Sequence, residues 1–323
     1  MTKAIRIHEN GGPEVMRLED IDVPSPGPGQ IKIRQTAIGI NYIDIYVRTG
    51  MYPSDLPAVI GMEAAGIVEE IGDGVSGLVL GDRVAYCMIP GAYAEQRLID
   101  AAKVVKLPDA ISDQQGAAMM LKGLTAHYLL RRTYKVQPGD TILVYAASGG
   151  VGLILCQWAK QLGATIIGCV GSEEKATLAK ANGCDHTLLY NSENVPQRVG
   201  ELTEGEGVAV VYDSIGKDTF MGSLDCLRPF GTMVSFGNAS GAVEPFNPGI
   251  LAGKGSLYVT RPSLGTHNAT RELLEDGANA LFDVVAKGIV NIAINQTRPL
   301  AEAGEAHRDL EDRKTTGSTI LIP

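Results

Sequence analysis

The chain has 323 residues, of which 45% are hydrophobic and 20% charged, and its formal net charge is −9 at pH 7. The length allows two domains, the acidic balance argues against an overall basic surface for nucleic acid or an anionic membrane, and no run approaches the ~20 apolar residues of a membrane helix. The five cysteines are an odd number without a Cys-x-x-Cys spacing, which argues against a disulfide framework or a metal cluster and predicts a reduced, cytoplasmic setting.

The first third of the chain is predicted to be rich in β-structure. Short apolar runs at 3–7, 30–34, 65–71 and 83–88 alternate with turn residues. Clusters of Gly and Pro mark the loops between them. The pattern predicts a small barrel-like domain rather than a series of βαβ units.

Beyond residue 110 the pattern changes to alternating helices and strands. A helix is predicted over 112–130, and five strands separated by helices follow it. The predicted strands are 141–145, 165–170, 186–189, 208–212 and 231–236, and the helices between them are 150–162, 173–182, 195–203 and 219–227. This alternation favours an α/β fold with a doubly wound parallel sheet. A helix over 269–287 and a strand over 317–323 complete the prediction.

A glycine-rich turn joins the first strand of this array to its helix. It reads Ala147-x-Gly149-x-x-Gly152, with Gly150 and Val151 between the two glycines. Such a turn lets the backbone approach a pyrophosphate, and the helix start offers free N–H groups and the positive end of a dipole. Taken alone, the motif also fits a plain connection in a domain that binds no nucleotide.

The residues after the second strand of the array bear on which dinucleotide binds. An Asp or Glu at the end of this strand would bind the ribose hydroxyls of NAD, but here the strand is followed by Gly171 and Ser172. Ser172 and Lys175 would bind a 2′-phosphate through a hydrogen bond and a charge, which favours NADPH. Glu173 and Glu174 leave NADH open, although acidic residues are also common in the first turn of a helix.

Motifs along essentially the whole chain resemble one family. Besides the glycine turn they are Asn41-Tyr-Ile-Asp44, Tyr52-Pro53, Gly61-Met-Glu-Ala-Ala-Gly-Ile-Val68, Leu121-Lys-Gly-Leu-Thr-Ala126, Val211-Tyr-Asp-Ser-Ile-Gly216, Ser235-Phe-Gly-Asn-Ala-Ser-Gly241 and Gly255-Ser-Leu-Tyr-Val-Thr-Arg-Pro-Ser-Leu264. Together they resemble the zinc-independent NADPH:quinone oxidoreductases, the zeta-crystallin-like group of the medium-chain dehydrogenase/reductase superfamily. The resemblance implies a Rossmann NADPH-binding domain, 123–264, inserted in a GroES-like β-rich catalytic domain made of 1–122 plus 265–323.

The resemblance also bears on metal binding. Zinc-dependent members of the superfamily hold a catalytic zinc with Cys, His and a further Cys or Asp, where this chain has Asn41, Met62 and Leu121. Amide, thioether and alkyl groups do not replace thiolate and imidazole as ligands of Zn²⁺. No metal is therefore expected, and alcohol oxidation that needs a Lewis acid is disfavoured.

Electron or hydride transfer to a quinone, without metal or flavin, is the activity that the resemblance implies. The nicotinamide carries the chemistry, and the protein supplies position and hydrogen bonds. The implied catalytic residues are Asn41, Tyr46 and Tyr52, where a tyrosine hydroxyl steadies developing oxyanion charge. The same scaffold also serves reductases of α,β-unsaturated aldehydes and ketones, and that alternative stays open.

Further cofactor contacts are implied by the same motifs. Besides Asn41 and the residues of the glycine turn and of the following strand end, they are Lys122, Thr125, Tyr190, Ser214, Phe236, Gly237, Asn238 and Lys314. Several of them follow parallel strands, whose carboxyl ends meet the ligand.

The sequence bears on two kinds of partner besides the substrate. The stretch 255–264 reads as an edge strand of the nucleotide domain, and pairing with its copy in a homodimer would protect its exposed backbone groups. Some zeta-crystallin relatives bind single-stranded RNA or accumulate as lens structural protein. The net charge of −9 argues against strong RNA binding.

Overall fold

The computed structural model describes all 323 residues, and the chain divides into two compact units. The first unit consists of Met1–Leu124, Asn268–Ala286 and Ile292–Pro323, and the second of Thr125–His267 and Lys287–Asn291. Each unit has its own sheet and its own cluster of buried apolar side chains. None of the helices combines the length and the apolar composition that crossing a bilayer requires.

Sixteen strands and ten α-helices follow one another along the chain. Up to the first long helix they are β1 (Thr2–Ile7), β2 (Arg17–Ile21), β3 (Gln30–Gly39), α1 (Tyr42–Arg48), β4 (Ala58–Val59), β5 (Glu63–Ile71), β6 (Arg83–Cys87), β7 (Gln96–Asp100), β8 (Val105–Lys106) and α2 (Asp113–Tyr128). The alternating region contains β9 (Thr141–Tyr145), α3 (Gly150–Gln161), β10 (Thr165–Val170), α4 (Glu173–Ala181), β11 (His186–Leu189), α5 (Val195–Leu202), β12 (Val208–Asp213), α6 (Phe220–Asp225) and β13 (Leu227–Ser235). The remainder contains α7 (Gly249–Gly253), β14 (Tyr258–Thr260), α8 (Leu264–His267), α9 (Arg271–Ala286), β15 (Ile294–Pro299), α10 (Ala303–Glu311) and β16 (Ser318–Ile322).

The first unit is built on a seven-stranded sheet in which only β15 and β16 pair in parallel. Its order is β15-β16-β3-β5-β6-β8, with β7 also paired to β3, and a small sheet β2-β1-β4 accompanies it. Strand β3 is long and largely buried because Ile31, Ile33 and Ile38 enter the core of the unit. The predicted β-rich domain is therefore present.

The second unit contains the predicted doubly wound sheet. Its six strands are all parallel, in the order β11-β10-β9-β12-β13-β14. All six residues of β12 are buried, as expected for a strand covered on both faces. The strand order reverses between β9 and β12, and ligands of such sheets bind at the carboxyl ends of the strands at this point. The predicted fold class is confirmed.

The structure differs from the predicted elements in several places. The first third contains a helix that was not predicted, α1. The predicted strand 255–264 is a strand only over Tyr258–Thr260 and then turns into the short helix α8. The predicted helix 112–130 ends as an α-helix at Tyr128 and continues as one π-helical turn, Leu129–Thr133.

Candidate active site

The glycine turn lies at the switch point of the parallel sheet. It connects β9 to α3, and Gly149 is the N-cap of that helix. A Cβ at Gly152 would lie 2.3 Å from the carbonyl oxygen of Ala146 and 2.7 Å from the Cα of Ala147, so the helix passes too close to the strand end for any side chain. The first N–H groups of α3, on Gly150 and Val151, have no acceptor within the helix, as at every helix start. The turn therefore offers donors at the place where a pyrophosphate is expected.

The ends of β12 and β13 pack against each other at the same edge of the sheet. A Cβ at Gly237 would lie 2.5 Å from the carbonyl oxygen of Ser214, so the two strand ends touch through bare backbone. The buried Asp213 holds the loop after β12, because its carboxylate accepts from the N–H groups of Ile215 and Gly216. The predicted contacts Ser214, Phe236, Gly237 and Asn238 are thereby brought together, each partly exposed.

The predicted 2′-phosphate group of residues lies after β10. The hydroxyl of Ser172 caps α4 by accepting from the N–H of Lys175 at 3.3 Å. A Cβ at Gly171 would lie 3.0 Å from the hydroxyl oxygen of Tyr190, and the Asn191 side chain donates to the carbonyl of Gly171. The structure therefore places Gly171, Ser172, Lys175 and Tyr190 around one strand end.

A buried carboxylate joins two predicted site residues of the first unit. Glu63 opens β5 with no exposed surface. Its Oε2 accepts from Asn41 Nδ2 at 2.8 Å and lies 3.3 Å from Lys122 Nζ, and its Oε1 accepts from the N–H of Leu121 at 2.6 Å. A Cβ at Gly39 would lie 2.5 Å from Glu63 Oε2, so β3 needs a glycine there to admit the carboxylate. Asn41 and Lys122 are thus held by one side chain that the sequence did not single out.

Three tyrosines form an aromatic group on and beside α1. The ring centroid of Tyr46 lies 5.2 Å from that of Tyr52 and 6.1 Å from that of Tyr42. The N–H of Tyr52 donates to the carbonyl of Tyr46 at 2.9 Å, which fixes the loop against the helix. Tyr46 is buried and Tyr52 is half-buried. The two predicted catalytic tyrosines are therefore neighbours.

The surroundings of two other predicted contacts, Thr125 and Lys314, add little to their assignment. Thr125 is buried on α2, one turn beyond Lys122. Lys314 is exposed before β16, and its ammonium pairs with Asp312 at 2.7 Å, which raises the pKa of Lys314. Because Asp312 partly balances the charge of Lys314, this lysine attracts a phosphate less strongly than an unpaired one would.

A groove of about 630 Å³ in the first unit lies away from these residues. It lies between α9 and the loops around Gly74 and Ala101, and it is lined by none of the predicted site residues. A volume alone does not indicate a reaction, so the candidate site is defined by the polar residues around Asn41 and at the ends of the parallel strands.

Known proteins resemble this chain over its full length. Two family models match it, the alcohol dehydrogenase GroES-like domain over residues 27–109 and the zinc-binding dehydrogenase model over residues 150–279. A quinone oxidoreductase of Pseudomonas aeruginosa is 52% identical, with 100% of both chains covered. A 2-haloacrylate reductase of a Burkholderia species is 46% identical, covering 100% of this chain and 99% of the other. The crystal structure of Escherichia coli quinone oxidoreductase complexed with NADPH matches with a TM-score of 0.98 at 49% identity, over 99% of this chain and 100% of that one.

The chain belongs to the quinone oxidoreductase family. The predicted family is thereby confirmed, within the medium-chain dehydrogenase/reductase superfamily, and the chain is an oxidoreductase.

The residues present do not fit the zinc that one of the matching family models names. The side-chain amide of Asn41 donates to Glu63. Met62 lies in the apolar core of the first unit, and Leu121 has an alkyl side chain. No group of three or more His, Cys, Asp and Glu side chains in the structure is arranged to hold a metal ion. The donor set is wrong for Zn²⁺.

Two buried carboxylates near Asn41, Glu63 and Asp44, are not among the site residues predicted from the sequence. Glu63 lies within a motif that was noted for the resemblance, yet its partners come from distant parts of the chain. Asp44 is fully buried, and its Oδ2 accepts from the N–H of Asn41 at 2.9 Å and from the hydroxyl of Tyr93 at 2.9 Å. Burial raises the pKa of Asp44 from 3.8 to about 7. The signals in the sequence are its place in the motif Asn41-Tyr-Ile-Asp44 and the spacing of Asn41 and Asp44, which is typical of a capped helix start.

Proposed function

We propose that this chain reduces quinones with NADPH, without metal or flavin. The observation that carries the proposal is the glycine turn between β9 and α3 at the switch point of the six-stranded sheet, in a chain 49% identical to a quinone oxidoreductase solved with NADPH. Five buried free thiols fit the cytoplasmic setting predicted from the sequence.

The residues of the second unit fit a phosphorylated dinucleotide. Gly149, Gly150, Val151 and Gly152 would hold the pyrophosphate through backbone N–H groups at the start of α3. Gly171, Ser172, Lys175 and Tyr190 would hold the 2′-phosphate, and Ser214, Phe236, Gly237 and Asn238 would line the rest of the strand ends. No carboxylate replaces Ser172 at the end of β10, which supports NADPH over NADH.

The first unit would supply the polar groups around the acceptor. When bound, NADPH supplies the hydride. Glu63 holds the amide of Asn41 in one orientation. The same carboxylate balances the positive charge of Lys122, so the ammonium of Lys122 would offer the acceptor hydrogen bonds rather than a net charge. The hydroxyls of Tyr46 and Tyr52 would bind the acceptor oxygen and stabilise the negative charge that develops there. We assign residues 1–122 plus 265–323 to this catalytic domain and 123–264 to the NADPH-binding domain.

Reduction of an activated alkene is the second candidate, because the 46% identical Burkholderia relative is a 2-haloacrylate reductase. Steady-state NADPH oxidation with 1,4-benzoquinone, 1,2-naphthoquinone, an α,β-unsaturated aldehyde and 2-chloroacrylate separates the two. We expect both quinones to turn over with the higher kcat/KM. Negligible quinone turnover beside brisk reduction of the aldehyde or the haloacrylate would replace the first candidate by the second.

We also propose that two copies pair through β14. This strand is the last of its sheet, and Tyr258 on β14 and Phe230 near the start of β13 are 61% and 69% exposed. An unpaired edge with exposed aromatic side chains invites a second strand. Sedimentation at micromolar concentration should give a dimer that Tyr258→Asp dissociates and Met221→Asp, at an exposed apolar residue of α6, does not. A monomeric wild type would contradict the pairing.

A further inference from the structure

A chain of buried hydrogen bonds runs from Arg48 through His307 and Tyr93 to Asp44. None of the four side chains is more than 1% exposed. Arg48 Nη1 lies 3.1 Å from His307 Nδ1, His307 Nε2 lies 2.9 Å from Tyr93 Oη, and Tyr93 Oη lies 2.9 Å from Asp44 Oδ2. Four polar side chains are therefore buried in a single row that ends beside Asn41.

The direction of every hydrogen bond in this row is fixed by its first member. Arginine has no acceptor, so Arg48 donates to Nδ1 of His307. Burial and the charge of Arg48 lower the pKa of His307 to about 3, so the ring is neutral and carries its proton on Nε2. That N–H donates to the hydroxyl oxygen of Tyr93, and the hydroxyl proton of Tyr93 is then directed to Asp44 Oδ2.

Both ends of the row are anchored. At one end Arg48 also donates to the carbonyl of Gly11 at 3.1 Å and pairs with Glu311 at 2.7 Å. At the other end Asp44 Oδ2 accepts the N–H of Asn41, while Asp44 Oδ1 is buried without a partner. Both donors therefore act on one oxygen of the carboxylate.

The backbone around Tyr93 is shaped for this ring. Gly61 has a φ of +92°, and a Cβ there would lie 2.1 Å from a ring carbon of Tyr93. A side chain at position 61 would displace the ring, and two residues further along the same segment lies Glu63, which holds Asn41. Gly61, which makes room for the Tyr93 ring, and Glu63, which orients Asn41, therefore belong to one short segment of the chain.

We propose that Tyr93, His307 and Arg48 are positioning residues of the active site: their row of hydrogen bonds fixes the carboxylate of Asp44, which in turn fixes Asn41 and the start of the helix that carries Tyr46. The inference rests on the proposed function for the roles of Asn41 and Tyr46. Tyr93 has no exposed surface and acts only through Asp44.

The charge of Asp44 is the quantity that this row controls. The groups that act on it are Tyr93, Lys122 on α2 and Glu63 on β5, and behind Tyr93 lie His307 on α10 and Arg48. Burial raises the pKa of Asp44 to about 7, the hydrogen bonds from Asn41 and Tyr93 and the charge of Lys122 lower it, and the charge of Glu63 raises it. Loss of the Tyr93 hydroxyl therefore raises this pKa further and neutralises Asp44 at a higher pH.

The test compares Tyr93→Phe with Tyr86→Phe. Tyr86 is also a fully buried tyrosine of the first unit, but its hydroxyl bonds to Gln35 and Arg97 rather than to the row. The pKa of Asp44 is followed by ¹³C NMR of aspartate carboxyl carbons, assigned with Asp44→Asn, and the pH profile of kcat for 1,4-benzoquinone is measured beside the affinity for NADPH.

In Tyr93→Phe we expect the Asp44 pKa and the inflection of the kcat profile to move up together by about half a unit or more. We expect kcat to fall by about tenfold to a hundredfold with a much smaller loss of NADPH affinity, because Asn41 is only one of many predicted cofactor contacts, and Tyr86→Phe to match the wild type. An unmoved Asp44 pKa, an unmoved kcat profile, or equal effects of the two variants would overturn the proposal. A wild type without quinone turnover would count against the proposed function instead, and the NMR titration would still decide whether Tyr93 controls Asp44.

Discussion

The ammonium of Lys122 lies 3.3 Å from Glu63 Oε2, and both side chains are buried. The same oxygen accepts from Asn41, so a single carboxylate connects a residue before α1 with one on α2. A buried ion pair of this kind contributes little net stability as a pair, but removing one partner leaves a buried charge uncompensated. The pair therefore makes the position of Asn41 depend on Lys122.

Removing the charge of Lys122 should destabilise the protein more than removing both charges. Lys122→Met leaves Glu63 with only the N–H donors of Asn41 and Leu121, at a cost of about 3 kcal/mol or more in the free energy of unfolding. Glu63→Gln combined with Lys122→Met should recover part of this loss. Urea denaturation of Lys122→Met and of the double variant measures both free energies of unfolding. If Lys122→Met is as stable as the wild type, the buried charge of Glu63 does not depend on Lys122.

Replacing Lys175 by Ala should weaken NADPH and spare NADH. Loss of one charge-assisted hydrogen bond to the 2′-phosphate corresponds to about 1.5–3 kcal/mol, or about ten- to a hundredfold in Kd. Fluorescence titration with both cofactors measures this. Lys180→Ala, at the exposed other end of α4, is the matched control. An equal loss for NADPH and NADH would refute the role assigned to Lys175.

A methyl group at Gly152 should damage the glycine turn, and one at Gly149 should be tolerated by the fold. The Cβ of Gly152→Ala would lie 2.3 Å from the backbone of Ala146, whereas that of Gly149→Ala would meet only one atom, at 3.2 Å. We expect Gly152→Ala to lose about 1–3 kcal/mol of stability together with NADPH affinity, and Gly149→Ala to lose less than about 1 kcal/mol. Thermal denaturation measures the stability of both variants, and cofactor titration measures their NADPH affinity. If Gly149→Ala were the less stable variant, α3 would not pass as close to the backbone of Ala146 as the structure indicates.

Asp44 and His307 should give folding two opposing pH dependences. Burial raises the pKa of Asp44 from 3.8 to about 7, so its contribution to stability falls as the pH rises through that interval. Burial and Arg48 lower the pKa of His307 from 6.5 to about 3, so its contribution is lost as the pH falls through that interval. Between pH 3.8 and 6.5 the two slopes oppose each other.

Asp44→Asn should therefore expose the slope of His307. Stability should rise by up to about 1.4 kcal/mol per pH unit more steeply than in the wild type between about pH 4.5 and 6.5. Urea denaturation across this range measures the slope, and Asp55→Asn, at an exposed carboxylate, controls for the lost charge. Identical slopes in Asp44→Asn and the wild type would show that Asp44 does not hold its proton in the folded state.

The nucleotide-binding unit could be predicted from the sequence because its signals are local. The strands predicted at 141–145, 165–170 and 186–189 have the bounds found in the structure, since each is a short apolar run between turn residues. The predicted edge strand 255–264 was too long, because only three of its residues pair with β13. Helix α1 was missed because its seven residues make only two turns and alternate like a strand.

The residues around Asn41 could not be predicted because their contacts are distant in sequence. Glu63 meets Lys122 across 59 residues, and Tyr93 meets His307 across 214. Periodicity and propensity describe neighbours along the chain, and they carry no information on which buried polar groups satisfy one another in the fold. In the sequence, His307 is one of five histidines, and no local pattern connects it with Tyr93 or Arg48.

The most direct test of the proposed function is the rate of NADPH oxidation when the enzyme is mixed with NADPH and 1,4-benzoquinone, without oxygen and with a metal chelator present. The account predicts a loss of the nicotinamide absorbance that saturates in both substrates, consumes one NADPH per quinone and is slowed in Lys175→Ala at low NADPH. A rate no higher than that of NADPH and quinone without enzyme would contradict it.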